Sequence, residues 1–185
     1  MLLSLLITIS SMSFAQFTEM ASPLPGPKSP PVQAPVASST LAAPMDPQDE
    51  KLLTKPVAWM IDAVNQARQK AGLETLTFDA SCARSARDHA YDTGKNRLRG
   101  HVGSDSSLPQ DRYKRYSSDF SMISENWGFI SDPSGQKLTP REMMIQWMKS
   151  PNHRANILDA SAKRMGVGFY RVGTNLYAVQ CFSAP

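Results

Sequence analysis

The chain has 185 residues, of which 41% are hydrophobic and 19% charged, with a formal net charge of +4. This length and apolar content give one domain, or one domain and a tail, with an ordinary soluble core, and exclude a wholly disordered chain. The mild basicity suits an anionic envelope, a polysaccharide or a nucleic acid and selects none of them.

Met1 to Gln16 is an apolar run that ends in small residues, with Ser13-Phe-Ala15 as a cleavage signal. It is too short to span a bilayer comfortably and reads as a secretory signal peptide over residues 1–15. No Lys or Arg precedes the apolar run, which keeps an uncleaved membrane anchor as the alternative. Residues 16–50 are rich in Pro, Ser and Ala, and eight of the fourteen prolines lie between Phe17 and Pro47. Neither helix nor ladder propagates through such a stretch, so it reads as a stiff, disordered tether that holds the domain of residues 51–185 away from a surface. No other segment is long and apolar enough to cross a membrane. The expected location is therefore secreted, periplasmic or extracellular. In that setting Cys82 and Cys181, the two cysteines of the chain, are expected to form a disulfide. The loop it closes would be worth about 4–5 kcal/mol in chain entropy. Two buried free thiols are the other reading.

In the folded part Thr54 is the expected cap of a first helix. Pro56 sits in its first turn, Val57, Met60, Ile61, Val64 and Ala67 form its buried stripe, and Gly72 ends it. Leu76-Thr-Phe78 is a short strand or extended link. Asp79 caps a second helix bearing Cys82, Ala83, Ala86, His89 and Ala90, where His89 reads as a packed histidine rather than a ligand. A polar loop from Lys95 to Pro109 carries His101, and loops on rigid scaffolds hold a disproportionate share of binding residues. Ser106 or Ser107 with Pro109 opens a short basic helix, Asp111 to Tyr116. Beyond it, Glu125 and Asn126 stand beside Trp127. A carboxylate next to a large aromatic is partly desolvated and inclined to hold a proton or seek a cation.

Ser131 to Leu138 is a turn-rich loop, and Thr139-Pro-Arg-Glu142 is a capping box that starts a helix burying Met143, Met144, Trp147 and Met148. One helix then gives way to another at Trp147-Met-Lys-Ser-Pro-Asn-His153, with Ser150 as cap and Pro151 in the first turn. His153 falls in that first turn, where the partial positive charge of the helix start favours the neutral imidazole that a metal or a general base needs. Met165 to Val172 and Asn175 to Phe182 alternate around Gly173-Thr174 and form a β-hairpin with a two-residue primed turn.

Several stretches, in this order, resemble the bacterial form of the CAP superfamily, also called SCP-like domains. They are Val64 to Leu73, Ala86-Arg-Asp-His-Ala90, Gly100-His101-Val-Gly-Ser-Asp105, Glu125-Asn126, Trp147 to Leu158 and Met165-Gly-Val-Gly168. The resemblance implies an α+β fold, the CAP-type α-β-α sandwich with an antiparallel sheet between helical layers. It also implies a cleft whose residues, carried over by position, are His101, Glu125 and His153. Two positions depart from the pattern. Ser124 stands where a glycine usually precedes the Glu-Asn pair, and Ser150 stands where many eukaryotic members place a second acid. The cleft then has one carboxylate, and a glycosidase-like pair of carboxyls is missing.

His101, His153 and Glu125 are a set able to hold a divalent metal such as zinc with an open position; alternatively Glu125 orients an imidazole from behind. HExxH and serine or cysteine nucleophile elbows are absent. Three functions follow. The first is an exported binding or structural module for a cell-envelope component, a lipid or a small ligand. The second is a metal-assisted, protease-like hydrolase with Glu125 as catalytic base, and the third a scaffold with a vestigial cleft. The basic residues Arg97, Arg99, Arg112, Lys114 and Arg115 have no interleaved aromatic platform to support nucleic-acid binding.

Overall fold

The computed structural model describes residues 54–185. The expected signal peptide, the tether and residues 51–53 lie outside the described residues. In chain order the elements are α1 (Lys55–Lys70), β1 (Thr77–Phe78), α2 (Ala80–Asn96), α3 (Pro109–Lys114), β2 (Met122–Ser131), α4 (Pro140–Lys149), α5 (Pro151–Ile157), β3 (Arg164–Val172) and β4 (Asn175–Ala184).

The strands form one sheet in the order β1-β3-β4-β2. β3, β4 and β2 run antiparallel to their neighbours, while two-residue β1 adds to β3 in parallel. Helices cover both faces, giving the expected α-β-α sandwich. One face carries α2, where Cys82, Ala86 and Ala90 meet Val179 and Cys181 of β4. Against the other face, α1, α4 and α5 bury Met60, Val64, Met143, Trp147 and Ile157 on Ala178 and Phe182. Nearly all of β4 is buried because helices cover it on both faces.

The hairpin has the expected register, Val172 opposite Asn175. Gly173 has φ +56°, and it is the one turn residue with positive φ, the pattern of a type II′ turn. The two glycines of Met165-Gly-Val-Gly168 have a packing reason. A Cβ on Gly166 would lie 2.0 Å from the backbone nitrogen of Ala83, and one on Gly168 would lie 2.3 Å from that of Arg87. The bare strand lets α2 lie directly on β3, which sets the height of everything α2 carries.

Some local expectations change. Asp79 caps α2 as expected, accepting from the Cys82 N–H at 2.6 Å, and Thr139 accepts from Glu142 N–H at 3.2 Å. Thr54 and Ser150 occupy N-cap positions but make no side-chain cap bond; their carbonyls accept from Ala58 and Arg154 instead. Leu108, not a serine, is the N-cap of α3, where Asp111 accepts from the Leu108 N–H at 3.0 Å. The cysteines also need correction. Cys82 and Cys181 face each other as expected, but they are free thiols with sulfurs 3.2 Å apart, well beyond the roughly 2.05 Å of an S–S bond. Cys181 donates to Cys82, and Cys82 donates to Ser183 Oγ at 3.4 Å. That hydrogen bond and complete burial push the Cys181 thiol well above its ordinary range.

Because the α2–β3 contact is backbone against backbone, no rotamer change can relieve an added methyl group. Gly166→Ala is expected to lower stability by about 3 kcal/mol or to prevent folding, read from the urea unfolding midpoint; a change below about 0.5 kcal/mol would contradict this packing.

Candidate functional site

The candidate site is built from β2 outward. β2 is an edge strand, and successive side chains on a strand point to opposite faces. Glu125 points to the α2 face and Asn126 to the α4–α5 face, and each holds one histidine-bearing segment.

On the first face Glu125 is buried, with 2% of its side chain exposed. Its Oε1 accepts from His101 Nδ1 at 2.9 Å, and its Oε2 accepts from Arg112 Nη2 at 2.8 Å. Arg112 is itself buried and binds the loop backbone as well, donating to Ser107 O at 2.7 Å and His101 O at 3.0 Å. The loop that displays His101 is thus fastened from within by one guanidinium. Positive φ at Arg97, Gly100 and Ser106 lets the chain make its tight bends. His89, completely buried on α2, has Nε2 2.9 Å from Gly100 O and 3.7 Å from Glu125 Oε1. Burial holds His89 below the ordinary histidine range, against the pull of Glu125.

On the second face Asn126 donates to His153 O at 3.0 Å and to Gln180 Oε1 at 3.0 Å. Asn156 returns bonds to Asn126 Oδ1 at 2.9 Å and Glu125 O at 3.2 Å. The far end of α5 is fixed by Arg68, which donates to Ile157 O and Asp159 O, both at 2.8 Å. His153 sits in the first turn of α5, as the sequence indicates. Its pKa is lowered first by burial and then by the nearby His101.

His101 and His153 line one hollow of about 310 Å³ beside the free edge of β2, with Trp127, Gly128, Phe129, Met143, Gln146, Trp147 and Ser150. Arg99 reaches the same hollow, its guanidinium 4.2 Å from the ring centre of Phe129. Glu125 lies behind His101 rather than on the wall. A larger hollow of about 380 Å³, between the start of α1, α2 and β3, has Arg87 as its one charged lining residue and neither a histidine nor a carboxylate.

The three residues carried over by resemblance therefore meet, but in unequal positions. Among the described residues no three His, Cys, Asp or Glu groups are placed to hold a metal ion together, and both Glu125 oxygens already have partners. Sequence reasoning missed three contributors. Arg112 reads as one of a surface basic cluster, yet it is interior; Arg115 of that cluster is paired with Asp105 at 2.6 Å. His89 is packed, as expected, but packed against the site. Asn126 stands next to Glu125 in a family-like dipeptide, and the sequence leaves its role open.

The sequence profile described as the cysteine-rich secretory protein family, CAP, matches residues 61–182. The uncharacterized protein YkwD of Bacillus subtilis is 31% identical over 115 residues, covering 62% of this chain and 42% of that protein. The chain thus spans less than half the length of that relative. An extracellular protein containing an SCP domain from Bacillus anthracis superposes with a TM-score of 0.62 at 23% identity, over 78% of this chain and 45% of that one. An outer surface protein of Borrelia burgdorferi gives a TM-score of 0.59 at 19% identity, over 76% and 96% of the two chains. No described helix is long and apolar enough to cross a membrane.

Two outcomes follow from this arrangement. Removing one partner of a buried pair strands the other charge, so Arg112→Leu is expected to cost about 3 kcal/mol. The cost should shrink by about 1–2 kcal/mol in a Glu125→Gln background, measured by a double-mutant cycle in urea; strict additivity would contradict the pairing. His89 and His153 have folded-state pKa values below their unfolded value of about 6.5, so the unfolded chain binds protons first as pH falls. The stability they contribute is complete above about pH 6.5 and is lost on acidification below it. Unfolding free energy should fall between about pH 7 and pH 5, and a His153 NMR titration midpoint at or above about 6.5 would contradict the assignment.

Proposed function

Because the chain belongs to the cysteine-rich secretory protein (CAP) family, we propose that it is an exported binding module of the cell envelope. Its cleft takes a ligand, or a short part of one, together with a divalent ion such as zinc. The observation that carries this reading is the hydrogen bond between His101 Nδ1 and Glu125. An ionised carboxylate only accepts, so in the neutral ring Nδ1 carries the hydrogen and Nε2 keeps its lone pair. That is the arrangement in which a carboxylate fixes the tautomer of a metal-binding imidazole. The ring itself is half exposed.

His153, whose pKa is lowered by burial and by His101, supplies a second nitrogen on the same hollow. Two imidazoles are one fewer than the three protein ligands of an open zinc site, so the bound ligand would complete the set. When bound, the ion would polarise an oxygen or carboxylate of the ligand. Glu125 serves from behind His101 and is not a ligand, because Arg112 holds its other oxygen. A hollow of about 310 Å³ lies at the small end of the range for small-molecule sites.

The same geometry weighs against the hydrolase reading. A general base must reach the proton that it removes, and Glu125 has both oxygens occupied and stands behind the wall of the cleft. Ser150 lines the hollow where a second acid would be needed. Export is supported by the family and by the outer-surface and extracellular relatives named above.

Calorimetric titration of the metal-free chain with zinc is the test. Binding is expected for the wild type and lost in both His101→Ala and His153→Ala. Glu125→Gln, which removes an orienting partner and not a ligand, should weaken it about ten-fold. No heat from the wild type would overturn the metal reading.

A further inference from the structure

The free edge of β2 runs along the hollow, and the direction of its backbone groups can be worked out from the register. Ala184 O accepts from Ser121 N–H on the β2 side, while Ser183 O accepts from Lys163 N–H on the β3 side. Even-numbered residues of β4 therefore turn to β2. Their partners there are Met122, Ser124, Asn126, Gly128 and Ile130. In an antiparallel pair such residues exchange both hydrogen bonds, and the alternate residues point both groups away. Glu125, Trp127 and Phe129 thus direct their N–H and C=O groups out of the sheet. Two side-chain contacts agree: Asn156 donates to Glu125 O at 3.2 Å, and Trp147 Nε1 donates to Trp127 O at 3.3 Å.

Those contacts also show what is left over. Among the described residues nothing bonds the N–H of Trp127 or either backbone group of Phe129, and both residues line the hollow. Exposed strand edges are ordinarily blunted by charge, proline, a bulge or a cover. Here the open portion lies in the hollow, with Arg99 and His101 on one side and Met143, Gln146 and Trp147 of α4 on the other. Spare main-chain groups at the two-residue repeat of a strand are matched by another backbone, because main-chain pairing supplies donors and acceptors at the same repeat.

The geometry points to an extended polypeptide segment as the occupant, added as a strand along β2 with Trp127 and Phe129 as its backbone partners. This rests on the reading of the hollow as a binding cleft and names its ligand class. The segment carries an acidic side chain. The lining includes no carboxylate and includes the exposed guanidinium of Arg99 over Phe129, while the charge of Glu125 is matched by Arg112 behind the wall. Gly128, between the two pairing residues, leaves room for Met143 and Trp147 to close the floor; a Cβ there would lie 2.3 Å from Met143 Sδ.

The test is residue-resolved amide exchange on the full chain by NMR. The probe is a pool of capped octapeptides that alternate β-branched and aromatic residues and carry one central glutamate. In the free protein the Trp127 and Phe129 amides should exchange much faster than those of Gly128 and Ile130, which pair with β4. Saturation with the pool should slow Trp127 and Phe129 about ten-fold or more, and an N-methylated version of the pool, which cannot pair, should leave them fast. The proposal is overturned if these two amides are as protected as Gly128 in the free protein. It is equally overturned if the peptide pool at millimolar concentration leaves them unchanged, or if the N-methylated pool protects them equally. Protection by a tetramer of N-acetylglucosamine and not by peptide would assign the hollow to a glycan and overturn the peptide, leaving the cleft as a binding site. Peptide protection in a chain that gives no heat with zinc would overturn the metal reading alone.

Discussion

The site depends on one buried carboxylate. Glu125 is removed from water, and a charge in that position is tolerated only when its oxygens are met by good donors. Arg112 and His101 meet them at 2.8 and 2.9 Å. The same guanidinium also holds the carbonyls of His101 and Ser107, so the need to satisfy Glu125 and the conformation of the His101 loop have one solution. His89 fills the remaining space from α2 and fastens Gly100, the residue before His101. A loop that reads as polar and unstructured is in this way given one shape.

The alternation of a strand does the rest. Glu125 and Asn126 are neighbours in sequence and face opposite sides of the sheet, so one dipeptide on an edge strand reaches both helical layers. Glu125 anchors the loop from the α2 side; Asn126 anchors α5 from the other, through His153 O and Asn156. The two imidazoles then meet around the edge of the sheet. A cleft made in this way necessarily includes the strand edge itself, and the backbone of Trp127 and Phe129 becomes part of its wall.

Much of the fold was legible because it rests on local rules. The stripe of Val57, Met60, Ile61 and Val64, the Asp79 cap, and the Gly173 turn are each decided by a few adjacent residues. β2 was not read as a strand, and the reason is physical. Its inner positions carry Glu125, Asn126 and Gly128, so the apolar alternation that marks a half-buried strand is missing where the site is built. Arg112 and Arg68 look like surface charges in a sequence, since nothing local distinguishes a solvated guanidinium from one that meets carbonyls far along the chain. Resemblance brought His101, Glu125 and His153 together but gave them equal standing. Their ranks, two imidazoles on the wall and a carboxylate behind one of them, are set by contacts with Arg112 and Asn126. The cysteines show the opposite case: an expected export made a disulfide the expected state, proximity agrees, and the sulfurs are nevertheless thiols in a short hydrogen-bonded chain that ends on Ser183.

Everything in this arrangement turns on Glu125 holding His101 in one tautomer, with its proton on the inner nitrogen and its lone pair turned to the cleft. Long-range proton–nitrogen NMR correlations of the histidine rings, recorded with the metal-free chain in mildly alkaline solution, test it directly. His101 is expected to be the Nδ1–H tautomer and to become a mixture in Glu125→Gln. An Nε2–H tautomer in the wild type, or a rapidly averaging ring, would contradict it.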